Sequence, residues 1–369
     1  MKKPQEHFNR KLPGRNGTGR RAKSNFCKIV SVNPDIRCLT RTELAAALKG
    51  LGRDPSDAGP VFRAVHRRGA ADPGALPGVP GRVCAALAPA FSLSPLAVPE
   101  RVLAAGDGTK KLLLRFADGA PAESVVLPGK ERLSACLSSQ SGCACGCTFC
   151  ATGALGLRRS LTAAEILAQF EACLKEAGAL SSLVFMGMGE PFLNWENVRR
   201  AILILSDSRG RHFPQSKMTV STVGVIPVIE ELAASDLKVR LAVSVVAADP
   251  ALRARLAPME KKYPLRSVLA AARRYCAARR AHVMLEYVLL PGVNDRPADS
   301  TALAGLVRDI PGRVNLIPYN PPGGPGGEPR RAKAFQRELI AAGVLAYLRA
   351  ERGADIGAAC GQLAGGAAA

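Results

Sequence analysis

The 369-residue chain is long enough for one barrel-sized domain with a small appended domain, or for two ordinary domains. No apolar run approaches the length of a membrane-spanning helix, and 11 cysteines, odd in number and crowded between Cys136 and Cys150, argue against a secreted disulfide framework. A net charge of +21 leaves RNA, DNA and anionic surfaces as compatible partners, although a compositional bias toward Ala, Gly, Arg and Pro would also raise the Arg count.

In chain order, the first 23 residues carry Lys2, Lys3, Arg10, Lys11, Arg15, Arg20, Arg21 and Lys23 against Glu6, interspersed with Gly, Asn and Pro. No apolar stripe at helical spacing favours an organelle transit peptide, and residues 1–38 are expected to form a disordered basic arm. Residues 39–105 are expected to form a small helical domain, in which Thr40 can cap the run from Glu43 to Lys49. Residues 106–133 alternate in a strand-like way around "ADGA", predicting a β-hairpin extension.

From residue 134 to 369, strand-like and helical runs alternate. Strands are predicted at 183–187, 217–222, 239–245, 283–290, 313–318 and 344–349. Helices are predicted near 162–177, 194–206, 226–234, 265–279, 299–308 and 332–342. This order implies an α/β fold with right-handed crossovers and a parallel sheet. Six or seven units are too few for a full eight-fold barrel, so an open barrel is expected, with its chemistry in the loops that follow the strands.

The segment "SGCACGCTFC" places Cys143, Cys147 and Cys150 in a C-x-x-x-C-x-x-C pattern. Three thiolates on one loop can hold three irons of a 4Fe-4S cluster and leave the fourth open, as in radical S-adenosylmethionine (SAM) enzymes. Cys145 supplies a possible fourth thiolate, so a zinc knuckle is the competing reading, and with it a zinc-stabilised RNA-binding protein without turnover. "LVFMG" runs into "MGEPFLN", setting Gly189 and Glu190 where a SAM methionyl group could approach the backbone and meet a carboxylate. Ser221, Ser244 and Asn320 end later strands and could hydrogen-bond the same ligand, though each could equally be a local turn or cap.

The stretches "CLSSQSGCACGCTFCATG", "VFMGMGEPFLN", "TVSTVGVIP", "LEYVLLPGVND", "VNLIPYNP" and "RGADIGAACGQLAG" closely resemble the RlmN/Cfr family of radical SAM RNA adenine methyltransferases. The resemblance implies a partial (β/α)6 TIM-type radical SAM barrel behind a small N-terminal helical domain and a β-hairpin extension. It also implies a cytoplasmic monomer acting away from membranes on 23S rRNA, tRNA or both, using a 4Fe-4S cluster and two SAM molecules per turnover. Flavodoxin or ferredoxin would supply electrons and a thiol reductant would reset the enzyme.

The same resemblance assigns Cys360 as the cysteine that is first methylated and then, through a carbon radical, joined to adenine. Cys136 would release the product by forming a Cys136–Cys360 disulfide, and Glu123 would take the ring proton. "RGADI" beside "AACGQL" points to methylation at C2, with C8 methylation of the ribosomal adenine as the alternative. Val245 and Val246 stand where the family usually has Leu and His in the SAM cradle, Glu260 stands for its usual Asn, and His66 for a bulkier aromatic. Cys27, Cys38, Cys84, Cys173 and Cys276 match no family role and are expected to be packed thiols.

Overall fold

The computed structural model describes residues 33–93, 97–129, 132–321 and 330–365. Most of the expected basic arm and Cys27 lie outside these residues. The last part of the arm is ordered: Ile36 is buried and its N–H donates to the Ser92 carbonyl at 3.0 Å.

Helix α1 (Arg41–Gly50) begins with a capping box, in which the Thr40 N–H donates to the Glu43 carboxylate at 2.8 Å and Thr40 Oγ1 accepts from the Glu43 N–H. This satisfies two of the N–H groups that a helix start leaves orphaned. Helices α2 (Ala58–His66) and α3 (Gly81–Leu87) complete a helical unit whose Leu44, Leu48, Phe62 and Leu87 share one core with the rest of the chain. Ion pairs from Arg200 to Glu43 and from Arg41 to Asp207 tie this unit to the main domain.

Strands β1 (Pro99–Ala104), β2 (Lys110–Arg115) and β3 (Pro121–Pro128) form an antiparallel meander, and β3 pairs antiparallel with β4 (Leu133–Cys136). The extension is therefore three strands, one more than the hairpin the sequence suggests. Strand β4 is followed by β5 (Gln140–Gly142), the short helix α4 (Ala151–Ala154) and β6 (Leu157–Ser160), with β5 and β6 forming a separate antiparallel pair.

Strand–helix alternation then takes over. Helix α5 (Ala163–Ala177) leads to β7 (Ser182–Phe185), α6 (Trp195–Ser206), β8 (Met218–Thr222), α7 (Ile226–Ala234), β9 (Arg240–Ser244), α8 (Pro250–Leu256) and α9 (Leu265–Arg279). Strand β10 (Val283–Leu289), helix α10 (Pro297–Val307), strand β11 (Gly312–Pro318), helix α11 (Ala332–Ala341) and strand β12 (Ala346–Leu348) follow.

Pairing is parallel from β4 through β7, β8, β9, β10 and β11 to β12. The sheet order β1-β2-β3-β4-β7-β8-β9-β10-β11-β12 does not close on itself, so the fold is the open α/β barrel that the strand count implies. Helix α5 repeats the Thr-x-x-Glu cap with Thr162 and Glu165. It buries Ile166, Leu167 and Phe170, each contributing about 1.5–3 kcal/mol on removal from water. Among the described residues no helix is long and apolar enough to cross a membrane. Cys38, Cys84, Cys173 and Cys276 are buried thiols, as expected.

Candidate active site

The cysteine loop springs from the β5–β6 pair. Gly142 has φ +77°, and a Cβ there would lie 1.9 Å from the Gly156 carbonyl oxygen, the same oxygen that accepts from the Cys143 N–H at 2.8 Å. Only glycine permits that approach. Cys143, Cys147 and Cys150 are half-buried, whereas Cys145 is buried against Val223, Val246 and Ala257.

Hydrogen bonding from Cys145 holds the Cys143 thiol below its usual range, while Cys145 is itself raised by that bond and by burial. Burial, with Cys150 and Cys143 nearby, pushes Cys147 up to about 12, and burial also raises Cys150. Half-buried thiols that resist ionisation alone become thiolates when they meet soft, strongly cationic iron, so this donor set suits a cluster. Among the described residues no three His, Cys, Asp or Glu side chains converge on a point where a single ion would sit.

Gly189, with φ +93°, lies so close to β5 that a Cβ would meet Gln140 Cβ at 2.4 Å. The neighbouring Glu190 is buried, and its carboxylate accepts from the Phe192 N–H at 3.0 Å and the Val223 N–H at 2.9 Å. Burial raises this carboxyl to about 7. Ser221 and Ser244 sit half-buried on β8 and at the end of β9. Asn320 is buried, and among the described residues its Oδ1 has no hydrogen-bond partner while Nδ2 donates to the Pro318 carbonyl at 3.1 Å. An orphaned, buried acceptor of this kind fits a site made for a polar ligand.

Val245 is fully buried, and Val246 is held at φ +68°, an unusual backbone region for a β-branched residue. Its carbonyl accepts from Asn294 Nδ2 at 2.7 Å. Glu260, conspicuous in the sequence as a departure, forms a buried ion pair with Arg253. Arg253 in turn donates from Nε to the Val245 carbonyl at 2.9 Å, and from Nη2 to the carbonyls of Val223 at 2.8 Å and Ser244 at 3.3 Å. Nothing in the sequence distinguishes Arg253 from the other arginines of a basic chain; only its complete burial does.

Cys136, at the end of β4, and Cys360, in the segment after β12, line one cavity of ≈ 100 Å³ together with Cys150, Asn320 and Arg349. Burial, reinforced by Cys360, pushes the Cys136 thiol up to about 12. Glu123 on β3 does not line this cavity. One carboxylate oxygen accepts from the N–H groups of Ala364 at 2.8 Å and Gly365 at 3.2 Å, and the other lies 3.4 Å from Lys111 Nζ. The terminal segment is fastened elsewhere by Ala151 N–H to the Gly361 carbonyl at 2.7 Å and by Thr152 Oγ1 to the Leu363 carbonyl at 2.6 Å. Arg349, absent from the sequence-based site, lines the cavity wall together with Arg352.

Residues 137–304 match the Radical SAM superfamily. The chain is 42% identical over 347 residues to the probable dual-specificity RNA methyltransferase RlmN of Heliobacterium modesticaldum, covering 90% of each chain. It is 41% identical over 345 residues to the dual-specificity RNA methyltransferase RlmN of Anaeromyxobacter dehalogenans, covering 90% of this chain and 92% of the relative. The crystal structure of a radical SAM methyltransferase from Sphaerobacter thermophilus is 41% identical, with a TM-score of 0.81 over 89% of this chain and 98% of that one.

Proposed function

Because the chain belongs to the RlmN family of radical SAM RNA methyltransferases, we propose that it methylates C2 of an adenine in RNA through a methyl group carried on its own Cys360. The observation that carries this reading is the cavity shared by Cys136 and Cys360, which come from opposite ends of the parallel sheet. RNA is the substrate class because the relatives are named dual-specificity RNA methyltransferases, and 23S rRNA and tRNA are the proposed targets. Membership of this family removes the zinc-stabilised, non-catalytic reading of the cysteine loop.

Cys143, Cys147 and Cys150 would hold the cluster, and Gly189, Glu190, Ser221, Ser244, Val245, Val246 and Asn320 would form the SAM cradle. When bound, cluster and SAM together supply the radical that activates an otherwise inert methyl group. The protein's own residues do the rest. Cys360 would present the methyl carbon to the adenine from the cavity wall it shares with Cys136. Glu123 takes the ring proton after addition, for which the Ala364 and Gly365 N–H groups must leave its carboxylate. Cys136 attacks the Cys360 sulfur and frees the product, leaving a disulfide for a thiol reductant to reopen. A low-potential donor such as flavodoxin or ferredoxin completes the partner set.

Nucleoside mass spectrometry of RNA from a deletion strain tests the product: 2-methyladenosine should disappear and return on complementation. Loss of 8-methyladenosine instead would overturn the C2 assignment. On a denaturing gel with labelled RNA, Cys136→Ala should trap a covalent protein–RNA species and Cys360→Ala should not. Free RNA in both lanes would refute the two-cysteine route.

A further inference from the structure

Just past β12, Arg349 turns into the wall of the cavity that holds Cys136 and Cys360. Arg349 is half-buried, and among the described residues it makes no side-chain hydrogen bond or close ion pair. The charges that act on it are, in order, those of Cys360, Glu286 and Cys136. Glu286, on β10 directly beside Ser244 and Asn315 in the sheet register, is buried. One of its oxygens accepts from Asn315 Nδ2 at 2.7 Å and the other has no hydrogen-bond partner among the described residues. A cation on a cavity wall with no fixed hydrogen-bond acceptor remains available to negative charge that develops beside it. Two sulfurs that must act as nucleophiles lie in the same cavity.

We propose that Arg349 is a positioning residue for product release, a cation of the cavity wall that stabilises negative charge on the Cys136 sulfur as it attacks Cys360. The proposal rests on the two-cysteine reading above. In that step Cys136 gives up its thiol proton, and its sulfur forms an S–S bond with Cys360. The bond from the Cys360 sulfur to the methylene carbon breaks, and its electron pair leaves with the carbon. That carbon takes up one proton to become the product methyl, so protons and electrons balance.

The thiolate is the nucleophile in such exchange, and the surroundings of Cys136 work against it. Among the described residues, the titratable or charged groups acting on it are Cys360, Cys173 and Arg349, and Cys150, Glu351 and Arg352 line the same cavity. Val125, Met188, Ala358 and Leu363 supply an otherwise apolar shell. Of the groups acting on Cys136, Arg349 is the one cation. At a short range in a poorly screened interior, the loss of one charge changes thiolate population on the order of tenfold.

The test is alkylation of Cys136 by iodoacetamide in reconstituted full-length enzyme from pH 7 to 10, followed by peptide mass spectrometry. Arg349→Gln should slow alkylation of Cys136 about tenfold at every pH in this range, because the thiol is far below its midpoint throughout. Arg349→Lys, which keeps the charge, should recover most of the rate. Arg349→Met, which keeps the packing of the long stem, should behave as Arg349→Gln does and carries the test if the Gln variant loses iron. With labelled RNA, the neutral variants should accumulate the covalent species seen for Cys136→Ala. An unchanged Cys136 profile in both neutral variants would overturn the proposal, even if turnover fell. Failure of the two-cysteine reading is separable, because it appears as no adduct from Cys136→Ala, whereas the alkylation profile needs no RNA; that failure would also remove the releasing role of Arg349.

Discussion

Glu260→Ala should destabilise the protein by about 3–5 kcal/mol, the usual cost of removing one partner from a buried ion pair. The side chains of Arg253 and Glu260 are 0% and 8% exposed, so water cannot replace the lost carboxylate. The substitution also strips the acceptor from the Leu265 N–H, bonded at 2.8 Å at the start of α9, and from Arg253 Nη1. Burial already pulls the Arg253 guanidinium below its usual range, opposed by Glu260, so the lone cation would be held under worse conditions. Arg253→Met should cost more than Glu260→Ala, because it also deprives the carbonyls of Val223 and Ser244 of a donor, at about 1–3 kcal/mol for each buried group left unsatisfied. Guanidinium chloride unfolding followed by far-UV circular dichroism measures both, and the double variant Arg253→Met with Glu260→Ala measures their coupling, expected to make the double loss smaller than the sum. A loss below about 1 kcal/mol for Glu260→Ala would refute the reasoning, since it would mean that the pair is solvated or dispensable.

Gly142→Ala should leave less than about a tenth of the wild-type iron after anaerobic reconstitution, because its Cβ would collide with the Gly156 carbonyl in a backbone region that disfavours side chains. Cys145→Ala should keep the cluster absorbance while Cys143→Ala, Cys147→Ala and Cys150→Ala each lose it; loss in the Cys145 variant would overturn the ligand assignment. His66, enclosed beside Phe62 with Arg37 and Arg211 nearby, has its imidazole lowered by burial from 6.5 to about 3. The unfolded chain therefore binds a proton that the folded chain refuses, and this stability, full above pH 6.5, should be lost at about 1.4 kcal/mol per pH unit as pH falls toward 3. The stability difference between wild type and His66→Phe should accordingly change by about 2 kcal/mol between pH 7 and pH 5 in urea titrations, and parallel curves would show that His66 is solvated.

What the sequence made legible is what local chemistry alone determines. The Thr40 and Thr162 caps announce α1 and α5 because the cap and its glutamate are three residues apart on one strand of chain. The β/α alternation is visible because strands buried on both faces are continuous apolar runs. Strand β1 was hidden for the opposite reason: it is an edge strand with mostly exposed side chains, so it lacks the apolar alternation that would mark it. Strand β4 is only four residues of mostly small side chains, and α8 is two turns behind Asp249 and Pro250. The cysteine loop could be seen from spacing. Arg253 and Arg349 could not, because among 51 Lys and Arg residues only a packed environment separates a buried clamp from a solvated charge.

The position of the two cysteines follows from how the open barrel is finished. Strand β4 is where the sheet changes from antiparallel to parallel, and β12 is its last parallel strand, so the parallel sheet leaves a gap between its ends. The segment after β12 crosses that gap. It is pinned near its start by the Gly353 N–H to Asp107 at 3.2 Å, in its middle by Lys111 Nζ to the Gly357 carbonyl at 3.1 Å, and near its end by the bonds to Ala151, Thr152 and Glu123. Cys360 is thus delivered to Cys136 by a strap and not by a strand. The strap is held by these single hydrogen bonds, each contributing a net ~1 kcal/mol, and by the burial of Ala358 and Leu363 in one apolar cluster with Cys136. In the proposed mechanism this strap would bring the methyl group on Cys360 to the base and then present the Cys360 sulfur to Cys136.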